Sequence, residues 1–324
     1  MPSFSVFDLT AAGTSSRQIH LMIASAKRYL CSSRGERTNA RFVAILSPFL
    51  LFAPSSSSVE MDWNETNPSL FFRIRSYITI TLVASLSKLL FFGGANKLNV
   101  HNRERFLNAW KDRSRPLITV SNHRSNIDDP VMWSFVTSLE MWKNIDRHRY
   151  ILAAHNICFT KKTHSAFFAL GRCVPCVRGK GVHQKGMDFC VDRLNENGWV
   201  HMFPEGRVSS DALRFKWGVG RLIMDAIRPP LVLPIWCSNI NKIWSEEPPY
   251  YPRFGHTVDV HIGQPIDSTT LRQISSEKPW SEKRRRKFIT DAIQSELFKL
   301  GETVGNLPKG TALRILRENP NNNL

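Results

Sequence analysis

Six short apolar runs recur along the chain, and longer amphipathic stretches separate most of them. The amphipathic stretches include residues 182–197, 213–227 and 280–299, and the apolar runs lie near residues 117–121, 149–153, 173–177, 199–203, 231–236 and 258–262. Short apolar runs bounded by polar turns predict buried strands, whereas the longer amphipathic stretches predict helices. Strands that alternate with helices predict an α/β fold with a mixed, mostly parallel sheet covered by helices.

A proline lies inside the apolar run Leu231–Trp236. Proline cannot donate a ladder hydrogen bond, so Pro234 predicts that this strand lies at the edge of the sheet or carries a bulge.

Two apolar stretches nearer the N-terminus are candidates for membrane contact. Phe42 to Pro54 is short and contains Pro48, and Tyr77 to Phe92 is longer. Both are shorter than the roughly 20 residues that a spanning helix needs. The second stretch is flanked or interrupted by basic residues, which favours an interfacial helix that enters one leaflet. A buried core helix is the alternative.

The first 58 residues differ in composition from the rest. They are rich in serine and contain only two acidic residues, against six basic ones: Arg17, Lys27, Arg28, Arg34, Arg37 and Arg41. An apolar helical face also runs from Ile19 to Leu30. This pattern is typical of a mitochondrial transit segment, and a disordered basic tail is the alternative. Ser55 to Ser58 are interpreted as a linker.

The chain carries a strong positive charge. Its net charge is +17 and its pI is about 10.0, which predicts a polyanionic partner. The sequence shows no helix-turn-helix, zinc-finger or aromatic stacking motif, so nucleic acid is not expected. An anionic phospholipid bilayer suits the charge better. The basic run 282–287 is interpreted as the start of a solvated helix that could also rest on head groups.

Six cysteines are scattered through the chain, and two of them form a C-x-x-C motif, Cys173 and Cys176. That spacing occurs in redox pairs and in zinc sites. No second pair completes a metal site, and Pro175 lies between the two thiols in a β-like run. Packed small apolar residues are the preferred interpretation, so neither a metal nor a redox cofactor is expected.

The strongest candidate chemistry follows the first predicted strand, at Asn122-His123-Arg124-Ser125-Asn126-Ile127-Asp128. A histidine moves protons near neutral pH, and a carboxylate can orient its ring. Five residues along a helix would turn the two side chains about 140° apart. His123 and Asp128 can meet if the first lies on a loop and the second begins the next element. Pro130 supports this because it disfavours helical geometry at Asp129. A buried structural histidine is the alternative.

A second polar turn follows the predicted strand at 199–203. It reads Pro204-Glu205-Gly206-Arg207, at the carboxyl end of a strand, where open α/β sheets bind ligands. Gly206 allows close backbone approach, and Arg207 can bind a phosphate through two N–H groups. Arg172 and Arg178 flank a third block. We expect Arg178, Glu205, Gly206 and Arg207 to bind substrate; surface salt bridges are the alternative for the arginines.

These blocks, in this order, resemble the glycerolipid acyltransferase family. Its signature is a histidine and an aspartate separated by four residues, then an arginine-bearing block, then Phe-Pro-Glu-Gly, then a strand with a proline. The resemblance covers about residues 65 to 300. The run from Gly171 through Trp217 and the stretch from Pro248 through Gly255 resemble one mitochondrial branch of that family. Cys176 departs from the aliphatic residue that many members carry.

The resemblance implies an acyltransferase fold and a phospholipid–lysophospholipid transacylase that needs no coenzyme A. Its implied substrates are monolysocardiolipin and a phospholipid donor, so that it remodels cardiolipin. The family's catalytic histidine and aspartate correspond to His123 and Asp128, and its substrate-binding residues to Arg178, Glu205 and Gly206. The implied location is peripheral, on the intermembrane-space side of a mitochondrial membrane. A homo-oligomer and a membrane complex are the two implied forms of assembly.

The residue chemistry agrees with that implication. His123 would deprotonate the free hydroxyl of a lyso-lipid while Asp128 stabilises the imidazolium. The activated oxygen would attack the donor ester, and backbone N–H groups between Asn122 and Asn126 are the expected oxyanion donors. The alternatives are an acyl-coenzyme A-dependent enzyme, a non-catalytic membrane-surface scaffold and, as the weakest, a redox protein.

The domain organisation that we expect has four parts. Residues 1–58 form the basic extension, 59–100 the membrane-anchoring segment, 101–300 the acyltransferase domain and 301–324 a C-terminal tail.

Overall fold

A computed structural model describes residues 68–244 and 251–318. The expected transit segment and linker at residues 1–58, and the apolar stretch Phe42 to Pro54, lie outside the described residues.

One sheet of eight strands organises the described chain. The strands are β1 Lys97–His101, β2 Leu117–Ser121, β3 Tyr150–Ala154, β4 Cys173–Cys176, β5 Trp199–Met202, β6 Leu231–Ser238, β7 Thr257–Ile262 and β8 Ile266–Asp267. Their order is β1-β7-β6-β2-β5-β3-β4, and β8 also pairs with β6. All pairs are parallel except β6 with β7 and β6 with β8. The predicted mixed, mostly parallel sheet is confirmed.

One helix precedes the first strand, three follow the last strand, and the others lie between strands in chain order. They are α1 Leu70–Leu89, α2 Arg103–Lys111, α3 Asp128–Val131, α4 Ser138–Lys143, α5 His155–Cys158, α6 Lys162–Leu170, α7 Lys185–Asn195, α8 Gly218–Asp225, α9 Ile240–Ile243, α10 Ser268–Glu277, α11 Glu282–Thr303 and α12 Thr311–Glu318. The three amphipathic stretches correspond to α7, α8 and α11.

All six predicted strands are present, and two further strands were not predicted. β1 was missed because its sequence, Lys-Leu-Asn-Val-His, places polar residues on one face of a half-exposed strand. β8 has only two residues, too few to give a pattern. β1 belongs to the sheet although it begins before residue 101. α12 buries Ala312 and Ile315 in the core although it follows residue 300.

The strand that contains Pro234 lies inside the sheet, so the predicted edge position is wrong. β6 pairs with β2 on one side and with both β7 and β8 on the other. Pro234 lies where β7 has ended and β8 has not begun, and its carbonyl accepts a hydrogen bond from Gly263. The missing N–H therefore falls at an interruption of the ladder, where a proline is tolerated.

Two different side-chain layers cover the faces of the sheet. On one face, an aliphatic cluster includes Ile118, Val120 and Val200 and continues into α7, α8 and α11. On the other face, the rings of Phe106, Trp110, Trp133 and Trp199 pack at centroid distances of 4.9 to 5.8 Å. β2 lies in the middle of the sheet and all five of its residues are buried. The loop that leaves β2 is therefore held on a rigid base.

The apolar helix α1 is longer than the sequence pattern indicated. It begins at Leu70, where the Ser69 side chain caps Phe72 N, and has 20 residues. By length and composition alone, Leu70–Gly94 could cross a membrane. Six of its apolar side chains are exposed, including Phe71 and Ile78 at 67% and 52%. The core-helix alternative is therefore wrong.

Polar contacts dock α1 onto the domain. The Ser76 hydroxyl donates a hydrogen bond of 2.7 Å to the carbonyl of Leu170, at the end of α6. Lys88 donates to the Ser138 hydroxyl at 3.2 Å. Because these bonds use one side of the helix, its apolar side chains stay exposed on the other.

Candidate active site

The loops that leave β2 and β5 meet at one edge of the sheet. The two strands are parallel neighbours, in register from Leu117 with Trp199 to Val120 with Met202. Their carboxyl ends therefore coincide, and the polar turn after β5 lies beside the loop that contains His123. This edge is where open α/β sheets bind ligands.

His123 and Asp128 form a hydrogen-bonded pair. The His123 Nδ1 atom lies 2.8 Å from Asp128 Oδ2, and the two side chains are 20% and 1% exposed. His123 lies on the loop after β2 and Asp128 is the first residue of α3, while Asp129 has an extended ψ of 120°. This geometry is the predicted one. It occupies Nδ1 and leaves Nε2 as the ring nitrogen available for proton transfer.

Backbone groups hold the Asp128 carboxylate. Its Oδ2 atom also accepts hydrogen bonds from the N–H groups of Arg124, at 2.6 Å, and Ser125, at 2.9 Å. The carboxylate thus closes the loop on itself and fixes its own orientation toward the histidine.

Phe203 fixes the other side of the histidine ring. Its ring stacks on His123 at a centroid distance of 4.1 Å with an interplanar angle of 13°. Phe203 belongs to the Phe-Pro-Glu-Gly motif, but no local pattern indicates this contact. Carboxylate and aromatic ring together restrict the imidazole to one plane.

Glu205 supports the loop through its backbone. Its side chain is 2% exposed, and Oε2 accepts a hydrogen bond of 3.0 Å from His123 N. Its other oxygen accepts a longer bond, 3.5 Å, from Leu213 N. Burial raises the pKa of Glu205 to about 7, despite the nearby charge of Arg124. Among the described residues, its hydrogen bonds hold the backbone of the histidine loop in place. Its predicted role in substrate binding remains a prediction.

Two neighbours of His123, not singled out as site residues from the sequence, fasten the loop to the body of the domain. Asn122 exchanges hydrogen bonds of 2.8 Å with both backbone groups of Cys237 on β6. The Arg124 guanidinium donates to the carbonyls of Ser209 and Asp211, and lies 5.6 Å from the ring of Trp236. The histidine loop is therefore anchored on both flanking segments.

The expected oxyanion donors are largely occupied. The backbone N–H of His123 donates to Glu205, and those of Arg124 and Ser125 donate to Asp128. A donor that is already bound to a carboxylate cannot stabilise a developing oxyanion without giving up that bond. The expectation of donors along this segment is therefore wrong for these three residues.

A buried ion pair lies beneath the site. Arg149 binds Asp129 through two nitrogens, and Trp133 Nε1 donates to the same carboxylate at 2.7 Å. Burial alone would raise the pKa of Asp129, but the charge and hydrogen bonds of Arg149 hold it below its ordinary value. Asp129 is thus a structural neighbour of Asp128 with a different partner.

The second histidine of this region, His201, is an uncharged core residue. It is fully buried on β5, and its Nδ1 atom lies 2.8 Å from the Thr119 hydroxyl. Burial lowers the pKa of His201 to about 3. Its imidazole therefore stays uncharged at neutral pH.

The two candidate phosphate ligands are exposed but lie apart. Arg207 and Arg178 make no hydrogen bond or ion pair with another residue in the described part of the chain. Arg207 follows Gly206, whose φ of 75° forms the turn after β5. Arg178 follows β4, two strands from β5, which separates the ends of the two strands by about 10 Å. The structure brings Arg207 to the histidine loop and leaves Arg178 at the far edge.

The C-x-x-C cysteines are free thiols in this structure. Burial raises the pKa of both Cys173 and Cys176. Because thiolates are the reactive form, these environments disfavour redox chemistry and agree with a packing role.

Comparison with known proteins shows that this chain is similar to acyltransferases. The acyltransferase family model matches residues 97–238, which contain the paired histidine and aspartate, the Glu205 turn and β6. A crystal structure of a 1-acyl-sn-glycerophosphate acyltransferase from Thermotoga maritima superposes with a TM-score of 0.46 at 18% identity, over 90% of this chain and 98% of that one.

Curated relatives narrow the class. The chain is 39% identical to tafazzin of Drosophila melanogaster over 72% of its own length and 62% of the relative, so the match spans less than two thirds of that protein. It is 36% identical to tafazzin of Dictyostelium discoideum over 57% of its own length and 72% of the relative. It is 37% identical to N-acylphosphatidylethanolamine synthase of Arabidopsis thaliana over 68% and 79%. The chain belongs to the tafazzin family of acyltransferases.

Proposed function

We propose that this protein is a coenzyme A-independent transacylase that moves a fatty acyl chain from a phospholipid to a lysophospholipid. The observation that carries the proposal is the His123–Asp128 pair at the carboxyl edge of β2, with Nε2 free for proton transfer. Membership of the tafazzin family supports the choice of lipid substrates.

His123 acts as the general base and Asp128 as the residue that orients it. Nε2 takes the proton from the free glycerol hydroxyl of the lyso-lipid, and Asp128 stabilises the resulting imidazolium. The hydroxyl oxygen attacks the donor's ester carbon, the tetrahedral intermediate collapses, and the bond to the donor's glycerol oxygen breaks. His123 returns the proton to that oxygen. The two products are again a phospholipid and a lysophospholipid, so the same residues catalyse the reaction in both directions.

Exposed arginines bind the phosphates of the head groups in this proposal. Arg207 lies beside the histidine loop, and a guanidinium can bind a phosphate with two N–H groups. Arg178 follows β4, two strands from β5, and this separation of about 10 Å suits a second phosphate better than the same one. Monolysocardiolipin, which carries two phosphates, fits this spacing as an acceptor.

Membrane association in this proposal rests on α1 and on charge. The exposed apolar face of α1 enters the interface, and the net charge of +17 favours an anionic bilayer. We assign the protein to a mitochondrial membrane, bound peripherally on the intermembrane-space side, where it remodels cardiolipin. The same helix has the length to span a bilayer, so its depth is a matter for measurement.

The test mixes purified full-length protein with bilayers that contain monolysocardiolipin and phosphatidylcholine with a labelled acyl chain, without coenzyme A. We expect label in tetra-acyl cardiolipin with wild type and none with His123→Ala. His155→Ala, a change of an exposed histidine on α5, is the matched control and should leave transfer unchanged. Transfer that appears only after acyl-coenzyme A is added would identify the coenzyme A-dependent alternative instead.

A second candidate function follows from the similarity to N-acylphosphatidylethanolamine synthase. An amine can replace the hydroxyl as the group that His123 deprotonates, and the acyl chain would then form an amide. Adding phosphatidylethanolamine to the same bilayers tests this candidate. Label in N-acylphosphatidylethanolamine, with none in cardiolipin, would favour it over the transacylase.

A further inference from the structure

Three potential metal ligands lie together at the edge of the sheet, away from the histidine loop. They are His101 on β1 and Asp259 and His261 on β7. Asp259 and His261 are two residues apart, so both side chains point to the same face of β7. His101 is the register partner of His261 in the parallel ladder. The strand pairing itself therefore brings the three side chains to one place.

The spacing of the three groups suits a single ion. Their ligand atoms all lie within 4.8 Å of one another, and the two imidazoles stack at a centroid distance of 4.2 Å. Zinc holds nitrogen ligands at about 2.0–2.1 Å, so two ligand atoms of a tetrahedral site lie about 3.4 Å apart. Binding one ion therefore requires the three side chains to rotate toward one another.

The surroundings of Asp259 also favour a cation. The chain has 44 lysines and arginines against 27 acidic residues, yet Asp259 makes no ion pair with a lysine or arginine among residues 68–244 and 251–318. Its Oδ1 atom accepts a hydrogen bond of 2.9 Å from Asn99 and lies 3.8 Å from His101 Nε2. An amide that holds a carboxylate in place is typical of the outer shell of a metal site.

We propose that His101, Asp259 and His261 bind one Zn²⁺ ion, with water in the fourth position, and that the ion fastens β1 to β7. β1 is the edge strand of the sheet and directly follows the segment that contains α1. A cross-strand ion would hold this edge strand, and with it the base of the membrane helix, on the body of the domain. The proposal does not depend on the acyl-transfer reaction.

The experiment measures Zn²⁺ binding by calorimetry on full-length protein that carries no histidine tag and has been freed of metal with a chelator. We expect one ion per chain and a midpoint of thermal unfolding that rises with Zn²⁺. His101→Ala/His261→Ala should abolish both effects, and Asn99→Ala should weaken binding about 10- to 100-fold through the outer shell. His155→Ala/His183→Ala, which changes two exposed histidines elsewhere, is the matched control.

Specific results would overturn the proposal. They are an equal uptake of Zn²⁺ by the wild type and by the His101→Ala/His261→Ala variant, or an equal loss of binding in the control. If the double variant does not fold, Asp259→Asn replaces it, since that change keeps the shape and removes the charge. Co²⁺ absorption of the wild type is the independent readout, and a spectrum without tetrahedral nitrogen and oxygen ligation would also refute the site.

Discussion

The buried carboxylate of Glu205 accepts a hydrogen bond from the backbone N–H of His123, across 82 positions of sequence. This bond ties the turn after β5 to the loop after β2, so the two motifs form one structure. A residue expected to bind substrate thereby contacts the backbone of the proposed base.

The ionisation of Glu205 makes stability depend on pH. Burial raises the pKa of this acid from 4.5 to about 7, so the folded state binds its proton more tightly than the unfolded state does. The free energy of unfolding therefore falls as pH rises from about 4.5 to 7 and levels off above that range. At 1.36 kcal/mol per pH unit, the difference is about 3 kcal/mol. Wild type should lose this amount relative to Glu205→Gln between pH 4 and pH 8, as measured by chemical denaturation. Parallel curves would contradict the assignment.

Asp128→Asn should lower turnover far more than it lowers stability. The amide keeps the shape of the carboxylate but no longer stabilises the imidazolium and favours the wrong tautomer, which costs on the order of 10⁴-fold in a comparable pair. We expect kcat in the transacylation assay to fall at least 10³-fold on that scale. The stacked Phe203 ring keeps the imidazole in place. The proposed membrane contact through α1 is not altered, so binding of lipid vesicles should not change. An activity near wild type would remove Asp128 from the mechanism.

Asp129→Ala should lower stability, whereas Asp128→Asn lowers mainly turnover. Removing one partner of the buried pair leaves Arg149 charged and unpaired, and such losses cost about 3–5 kcal/mol. We expect a large drop in the unfolding midpoint, and partial recovery in Asp129→Leu/Arg149→Met, in which neither buried charge remains. A variant that folds as well as wild type but has lost activity would show that Asp129, and not only Asp128, takes part in catalysis.

Arg207→Ala should weaken use of the acceptor without unfolding the protein. Arg207 is exposed and makes no hydrogen bond or ion pair with another residue in the described part of the chain, so the change removes no contact that stabilises the fold. A charge-assisted hydrogen bond contributes about 1.5–3 kcal/mol, so KM for monolysocardiolipin should rise about 10- to 100-fold. Lys309→Ala, which removes another exposed cation, is the control for loss of general charge. An equal effect of the two changes would argue for nonspecific attraction to the membrane.

Phe71→Ser/Ile78→Ser should release the protein from membranes. Both side chains lie on the exposed face of α1, so their loss should not lower the free energy of unfolding. Burial of each such side chain contributes about 1.5–3 kcal/mol, and vesicle binding should therefore weaken at least tenfold. Ile227→Ser, at a site that is 76% exposed outside α1, is the matched control and should bind vesicles as wild type does.

Local patterns in the sequence determined the strands, the main helices and the His123–Asp128 pair. Each of the six predicted strands is a short run that is mainly apolar or that alternates apolar and polar residues. The pair closes within five residues, where Pro130 disfavours a helix at Asp129. These features depend on neighbours along the chain, so periodicity and turn chemistry are enough to predict them. The interior position of β6 could not be predicted, because a proline pattern does not say which strands lie on either side.

Only the tertiary structure decided which distant residues meet. It placed Glu205 under the backbone of His123, paired Asp129 with Arg149, separated Arg178 from Arg207, and brought His101 beside His261. Each of these relationships involves residues between 20 and 160 positions apart in the sequence. Such contacts are set by the order and register of the strands, and these follow from the packing of both faces of the whole sheet, which no local pattern encodes.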